Sequence, residues 1–202
     1  HIRYGSSGVK RDPCDPNIIT YYYDDLTEEV LNDMWSFTVC GWIKAEQDHP
    51  IEGDARIAHR DGQFSIQTPS GNNAGKLSLI IPEDAGNNSN TITCISSSDD
   101  FNEPNEWVFW AVTYDGNQSS NNVKFYKGGL EETVYHVSTS TANAGQLVIN
   151  DANFTNWHFI IGANDVNGLY SIGGYLDKLT IFSDVNSISG SKDVAALSQD
   201  QL

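Results

Sequence analysis

The sequence predicts an all-β fold, a two-sheet antiparallel β-sandwich, from three observations. Short runs rich in β-branched and aromatic residues alternate with clusters of Gly, Asn, Ser and Asp, which is the spacing of a sandwich or barrel. No helical periodicity separates these runs. The chain has 202 residues, of which 39% are hydrophobic, so it can bury one sizeable core as a single domain.

The elements begin after a polar arm. Residues 1–16 contain Gly, Ser and two prolines, which predicts an extended N-terminal arm outside the core, followed by the domain at 17–202. The predicted strands are, in order, NIITYYYD, WSFTVCGWIKA, ARIAH, GQFSIQT, KLSLIIP, TITCIS, EWVFWAVTYDG, VKFYKGG, TVYHVS, QLVIN, WHFIIGA and GYLDKLTIF. The last segment, KDVAALSQDQL, is the one helix candidate and suits a terminal turn or two.

One predicted strand, WVFWAVTY, is apolar on both of its alternating faces. One face would carry Trp107, Phe109 and Ala111, and the other Val108, Trp110 and Val112. A strand buried on both sides has this composition. The pattern predicts a position in the middle of a sheet, beneath loops or a partner; a concave sheet lined in this way would equally suit a sugar.

The charge of the chain excludes some classes of partner. There are 11 basic and 27 acidic residues, a formal net charge of −16. Nucleic acid is excluded because phosphate binding needs a basic face, and a polyanionic glycan is disfavoured unless a cation bridges the two. The negative charge either keeps the protein soluble or binds cations. No apolar run is long enough to insert in a membrane, and no signal peptide is visible, which predicts a mature or cytosolic chain.

Three cysteines permit at most one intramolecular disulfide. Cys40 and Cys94 both lie in predicted strands and are predicted to face each other as that pair. Cys14, in the arm, would then be free or paired with another chain. None of the three has the spacing of a metal site.

Three sequons provide candidate glycosylation sites. They lie at Asn87, Asn117 and Asn153. Asn87 and Asn117 fall in predicted loops, where a glycan could be carried.

Five segments follow one another in an order that one known family shares. They are WSFTVCGWIKA, EWVFWAVTYDG, VKFYKGG, LVINDANFTNWHFIIGAND and GGYLDKLTIFSDVNSIS. This ordered set resembles the laminin-G-like, concanavalin A-like jelly-roll domains, over about residues 17–197. The resemblance implies that the strand around Ile18 to Tyr23 lies beside the closing strand around Tyr175 to Phe182. Gly128, where the family often has Asp or Asn, and the large Trp110 depart from the pattern.

The resemblance implies an extracellular, lectin-like protein that binds a glycan or polysaccharide. Sugars stack on aromatic rings and are bracketed by Asn, Asp and Gln, and the candidate ligand-binding residues are Trp35, Tyr114, Trp157 and Tyr170. The alternative for each aromatic residue is a place in the core.

Calcium is the cofactor that the resemblance implies. Many members of the family hold one structural Ca²⁺ through oxygen ligands, and the candidate ligands here are Asp24, Asp25 and Asp177. The alternative for Asp177 is a structural acceptor of backbone N–H bonds.

The sequence predicts that the protein is not an enzyme. A glycosidase of this fold carries paired carboxylates on one strand, and no Glu-x-Asp-x-x-Glu pattern occurs. A lyase would need a Tyr/His pair, but Tyr135 and His136 are neighbours whose side chains diverge. A copper monooxygenase would need His1 as a true terminus with a second histidine. The runner-up to glycan binding is a structural subunit of an extracellular fibre or adhesive layer, assembled through residues 1–16 and Cys14.

Overall fold

The computed structural model describes residues 2–3, 9–11, 34–45, 54–60, 62–84, 87–97, 101, 103–143, 145–147, 159–162, 172–184 and 199–202. These residues form two antiparallel β-sheets packed as a sandwich, which confirms the predicted fold class. Their helical elements include two 3₁₀ turns, Gly71–Asn73 and Gln199–Gln201. No described helix is long and apolar enough to cross a membrane.

The strands follow the predicted order closely. They are β1 (Ile2–Arg3), β2 (Val9–Arg11), β3 (Ser36–Ala45), β4 (Ala55–Arg60), β5 (Phe64–Thr68), β6 (Ser78–Asp84), β7 (Asn87–Ile95), β8 (Val108–Asp115), β9 (Val123–Gly129), β10 (Tyr135–Ser140), β11 (Phe159–Ile161) and β12 (Gly174–Asp184). Ten of the twelve predicted strand segments contain one of them. NIITYYYD lies outside the described residues. Of QLVIN, Leu147 makes an isolated bridge to Met34.

The seven-stranded sheet has the order β1-β12-β3-β8-β9-β10, with β2 also paired to β12. Strand β8 lies in its middle, as predicted, and all eight of its residues are buried. The five-stranded sheet has the order β11-β4-β5-β6-β7.

The main core lies between the two sheets because one face of each strand is apolar. Phe37 of β3 stacks on Phe64 of β5 across the sandwich, with 5.2 Å between ring centroids. Trp110 is fully buried in this core. The opposite face of β8 is covered too, since Phe109 and Ala111 pack in a second cluster on the outer face of the seven-stranded sheet. Both faces of β8 are therefore apolar because each of them packs in a hydrophobic cluster.

The described parts of the arm pair with the closing strand β12 of the same chain. Ile2 lies opposite Ile181, and Arg11 lies opposite Gly174. The other edge of β12 pairs with β3 from Gly174 to Asp184. The predicted neighbour of the closing strand, around Ile18 to Tyr23, lies outside the described residues. The edge of β12 that does not face β3 is therefore occupied by the arm wherever β1 and β2 pair with it.

Candidate functional site

A cleft of about 460 Å³ lies at one end of the seven-stranded sheet, where β8 begins and β9 ends. We call it the acidic cleft. It is lined by Glu103, Asn105, Glu106, Trp107, Val108, Lys127, Gly128, Gly129, Leu130, Glu131 and Glu132. Its volume falls in the roughly 300–1,000 Å³ range of small-molecule sites.

One wall of the acidic cleft is the loop before β8. Pro104 makes a bridge with Ala45 at the end of β3, and the Asn105 amide donates to the Ala45 carbonyl at 2.8 Å. Asn105 has a φ of 63°, a conformation that Asn tolerates better than most residues. These contacts fix Glu103 and Glu106 at the end of the sheet.

The opposite wall is the turn between β9 and β10. The Gly129 amide donates to the Glu132 carbonyl at 3.4 Å, which closes the turn and leaves Glu131 and Glu132 exposed. Leu130 is 73% exposed at the tip. A Cβ on Gly128 would lie 3.2 Å from the Val134 side chain, so the glycine lets the two arms of the hairpin approach closely.

Among the described residues that line the acidic cleft, one is a cation, Lys127 on its floor. Lys127 is 8% exposed, and its Nζ lies 3.6 Å from Glu103 Oε1. The stem of the lysine is buried while its ammonium reaches the carboxylate at the mouth. With four glutamates against this lysine among the lining residues, the cleft is strongly negative.

Aromatic rings continue from the acidic cleft onto the outer face of the sheet. Trp107 is half-buried, and its ring centroid lies 6.3 Å from that of Tyr175. Lys44 Nζ lies 6.0 Å from the Tyr175 centroid, within reach of a cation–π contact. Trp42 and Phe109 follow in an edge-to-face pair at 5.5 Å. Aromatic surface and hydrogen-bonding groups thus meet at one end of the sheet.

Two of the four predicted ligand-binding residues, Trp35 and Tyr114, are among the described residues. The structure corrects the prediction that Tyr114 contacts a ligand. Tyr114 is 1% exposed and belongs to the main core, where no glycan can reach it. Its hydroxyl donates to the carbonyls of Asn143, at 2.9 Å, and Gly145, at 2.8 Å. Burial, with the nearby Asp115 carboxylate, raises the pKa of this hydroxyl above its ordinary value.

Trp35 is half-buried, and its carbonyl accepts a bond of 2.8 Å from the Gly116 amide. Its indole nitrogen is buried without a hydrogen-bond partner, and Trp35 does not line the acidic cleft. Trp157 and Tyr170 lie outside the described residues.

Asp177 lies half-buried on β12, opposite Trp42. Its Oδ1 accepts a 2.8 Å bond from the amide of Lys178, a residue with a φ of 50° at the irregular step of the strand. This contact is of the kind that the structural alternative for Asp177 expects, and its role as a calcium ligand stays a prediction. Asp24 and Asp25 lie outside the described residues. Over the described ranges, no three His, Cys, Asp or Glu side chains gather as a metal site.

The predicted disulfide between Cys40 and Cys94 is wrong. Both are free buried thiols. Cys40 packs on the outer face of the seven-stranded sheet, whereas Cys94 of β7 lies in the core between the sheets. Burial raises the pKa of each thiol to about 11. Cys14 lies outside the described residues.

The sequons fall in different settings. Asn117 is exposed in the turn after β8, where its side chain donates to Asp115 Oδ1 at 3.3 Å. Asn87 was expected in a loop but begins β7, opposite Asp84. Asn153 lies outside the described residues, and glycosylation at all three stays a prediction.

The sequence interpretation missed Trp107 and the four glutamates as one site. The available signal was the β8–β9 hairpin, because the start of its first strand and the end of its second must meet. In the structure Val108 lies opposite Gly129.

Comparison with known proteins agrees with this architecture. The family model of the concanavalin A-like lectin/glucanases superfamily matches residues 21–188. Among curated proteins, none matches the chain in sequence.

Solved structures are also similar to this chain. One is domain 4 of AbnA, a GH43 extracellular arabinanase from Geobacillus stearothermophilus, in complex with arabinotriose. It has a TM-score of 0.54 and 16% identity, over 96% of this chain and 84% of that one. Another is a native heptameric SAP-like pentraxin from Limulus polyphemus, with a TM-score of 0.43 and 17% identity, over 75% of this chain and 67% of that one. At 16% identity the likeness to the arabinanase domain concerns the fold.

Proposed function

This chain belongs to the concanavalin A-like lectin/glucanases superfamily, and on that premise we propose that it is a non-catalytic, extracellular carbohydrate-binding module. The observation that carries the proposal is the acidic cleft. It joins the half-buried Trp107 ring to carboxylates, an amide and an ammonium at the end of one sheet.

The chemistry of the acidic cleft suits sugar hydroxyls. Ionised carboxylates such as those of Glu131 and Glu132 only accept hydrogen bonds, whereas the Lys127 ammonium only donates them. A hydroxyl can both donate and accept, so it can satisfy either kind of group. Trp107 offers an apolar ring to the C–H face of a pyranose or furanose, and its half-burial keeps it in place.

The charge of the acidic cleft selects among glycans. Four glutamates and one lysine would repel a uronate or a sulfated sugar, because like charges in an interface are unfavourable. We therefore propose a neutral glycan for this site. Arabinotriose is a suitable first probe, because the arabinanase domain of the same fold was solved with it.

The exposure of the carboxylates supports binding without catalysis. A glycosidase needs one carboxyl group kept protonated by a desolvated environment. The Glu103 side chain is 43% exposed and pairs with Lys127, and Glu106, Glu131 and Glu132 are exposed. None of these four carboxyl groups lies in such a desolvated environment.

The proposal is tested by calorimetric titration with arabinotriose and other neutral trisaccharides. We expect Trp107→Ala to weaken binding by at least about fivefold, because truncating a central aromatic residue typically costs more than about 1 kcal/mol. Tyr135→Ala is the matched control, since Tyr135 is 40% exposed and does not line the cleft. Equal affinities of wild type and Trp107→Ala would reject this site. Release of reducing ends from the same sugars would reject the non-catalytic role.

Assembly into a fibre through residues 1–16 remains the alternative. The pairing of β1 and β2 with β12 of their own chain counts against it, because an arm from a neighbour would need the same edge. Deleting residues 1–16 should leave particle size unchanged in light scattering. A fall from polymer to monomer with the fold retained would favour assembly.

Calcium stays in the proposal through Asp24, Asp25 and Asp177, of which Asp177 is described and has a half-buried position on β12 beside the Lys178 amide. Bound Ca²⁺ at about 100 times its Kd would stabilise the fold by about 2.7 kcal/mol. We therefore expect a chelator to lower the unfolding midpoint of protein loaded with calcium. An unchanged midpoint in protein shown to be loaded would remove calcium from the account.

A further inference from the structure

Trp107 of the acidic cleft has an aromatic neighbour, the half-buried Tyr175 of β12. The two ring centroids lie 6.3 Å apart, and the ring planes are inclined at 58° to each other. Strand β3 lies between β12 and β8, which separates these two strands by about 10 Å. The two side chains therefore lean toward each other over β3. We call Trp107 and Tyr175 the aromatic pair.

The backbone of Tyr175 is held on both sides by neighbouring strands. It lies opposite Lys10 of β2 and opposite Lys44 of β3. The pairing of β12 with β3 keeps one register from Gly174 to Asp177. Because regular strands position side chains more precisely than loops do, the Tyr175 ring is in place before a ligand arrives, which lowers the cost of ordering on binding.

Lys44 adds a hydrogen-bond donor beside the aromatic pair. Its Nζ lies 6.0 Å from the centroid of the Tyr175 ring, and the residue is half-buried. The face of an aromatic ring attracts an ammonium group. An ammonium only donates hydrogen bonds, and a sugar hydroxyl beside the rings can accept one. The aromatic pair therefore combines apolar and polar contacts, as the acidic cleft does.

The inclination of the aromatic pair restricts the shape of the glycan that can use both rings. A sugar residue contacts an aromatic side chain by laying its C–H face flat on the ring. Two consecutive sugar residues that each lie on one member of the pair are therefore inclined to each other by about the 58° between the ring planes. Consecutive rings of a β-1,4-linked glucan lie nearly in one plane, whereas those of an α-1,4-linked glucan turn from one residue to the next.

We propose that Tyr175 is a second sugar-binding residue, and that the aromatic pair selects neutral glycans whose consecutive residues are inclined to each other over glycans whose residues are coplanar. This inference rests on the function proposed above, because it extends the same site from the acidic cleft along the outer face of the seven-stranded sheet. Each member of the pair contacts one sugar residue, so a disaccharide unit is the smallest ligand that uses both.

The first test is calorimetric titration of the wild-type chain with maltotriose and with cellotriose. The two sugars contain the same three glucose residues without charge and differ in the configuration of their 1,4 linkages. We expect maltotriose to bind at least about fivefold more tightly, because a coplanar chain can lie on one ring of the aromatic pair but not on both. Cellotriose that binds as tightly as maltotriose, or more tightly, would overturn the shape selection.

Substitutions of Tyr175 test its contact with the sugar. Tyr175→Ala should weaken binding of the tightest of maltotriose, cellotriose and arabinotriose by at least about fivefold, whereas Tyr175→Phe, which keeps the ring, should bind like wild type. Tyr135→Ala is again the matched control, since Tyr135 is 40% exposed and belongs to β10.

The outcomes separate this inference from the proposed function. If Trp107→Ala abolishes binding but Tyr175→Ala binds like wild type, the acidic cleft stands and the role of Tyr175 is rejected. If none of the three trisaccharides binds the wild-type chain, the proposed function is rejected and this inference with it.

A wild-type measurement covers the case in which Tyr175→Ala does not fold. During titration with the tightest trisaccharide, the NMR signals of the Tyr175 ring should shift together with the Trp107 indole signal, and those of the Tyr135 ring should not. A shift of the Trp107 indole with the Tyr175 ring signals unmoved would overturn the proposal.

Discussion

Replacing Tyr114 by Phe tests whether this residue serves the fold or a ligand. The ring packs 5.7 Å from Phe37 in the core, and Phe can keep that contact. Only the hydroxyl is lost, with its bonds to the carbonyls of Asn143 and Gly145 at 2.9 and 2.8 Å. These bonds hold Asn143 and Gly145 against the turn after β8, where the Gly145 amide donates to the Gly116 carbonyl at 2.9 Å.

The size of the loss in stability depends on how many carbonyl acceptors lose their hydrogen-bond donor. A neutral hydrogen bond contributes about 0.5–1.5 kcal/mol, and a carbonyl left buried and unsatisfied costs about 1–3 kcal/mol. Asn143 is exposed and Gly145 half-buried, so water can replace part of the loss. We expect the free energy of unfolding to fall by about 1–2 kcal/mol. For a chain of this size that corresponds to a Tm lower by about 2–8 °C.

The assay is urea unfolding followed by tryptophan fluorescence, with sugar titration of the same samples. Tyr135→Phe is the control, because Tyr135 is 40% exposed and its change should stay within about 0.5 kcal/mol. Sugar affinity should be unchanged in both variants. A Tyr114→Phe protein that is as stable as wild type but no longer binds sugar would refute the structural assignment.

Two further predictions concern stability. Because burial raises the thiol pKa of Cys40 and Cys94 from about 9 to about 11, the folded state keeps its thiol protons where the unfolded state loses them. Stability should be fully present below pH 9 and fall between pH 9 and 11, by about 1.4 kcal/mol per pH unit for each thiol. Urea midpoints of wild type and Cys94→Ala at pH 8 to 10.5 check this, and identical pH slopes would contradict it. Gly116→Ala should cost more than about 3 kcal/mol, since its Cβ would lie 2.2 Å from the Gly145 carbonyl oxygen. Gly71→Ala, with a φ of 64° and open space around it, should cost about 1–2 kcal/mol; similar melting points for the two variants would refute the packing argument.

The strands were predictable because their signal is local. Alternating apolar residues and turn clusters located β3 and β8 to within a residue or two. Where both faces of a strand are apolar, the sequence does not tell which face points into the core, because the alternation of apolar and polar residues is then missing. The sequence therefore does not place Tyr114 on the core face of its strand, nor Cys40 on the outer face of its own. In the structure Tyr114 lies on the core face of β8, and Cys40 lies on the outer face of β3.

The acidic cleft was harder to predict because it depends on the register of the hairpin. Glu103 and Glu131 are far apart in sequence, and only the pairing of Val108 with Gly129 brings their loops to one end of the sheet. The pairing of the arm with β12 was also missed, because it rests on backbone hydrogen bonds that residue composition does not report.

The most direct test of the account is to follow the backbone amides and the five tryptophan indole N–H signals of the wild-type chain by NMR during titration with arabinotriose. The account predicts shifts of the Trp107 indole and of amides in 103–107 and 129–132, with the amide of Tyr114 unmoved. Saturable shifts confined to residues outside these two segments would contradict the acidic cleft as the site of binding.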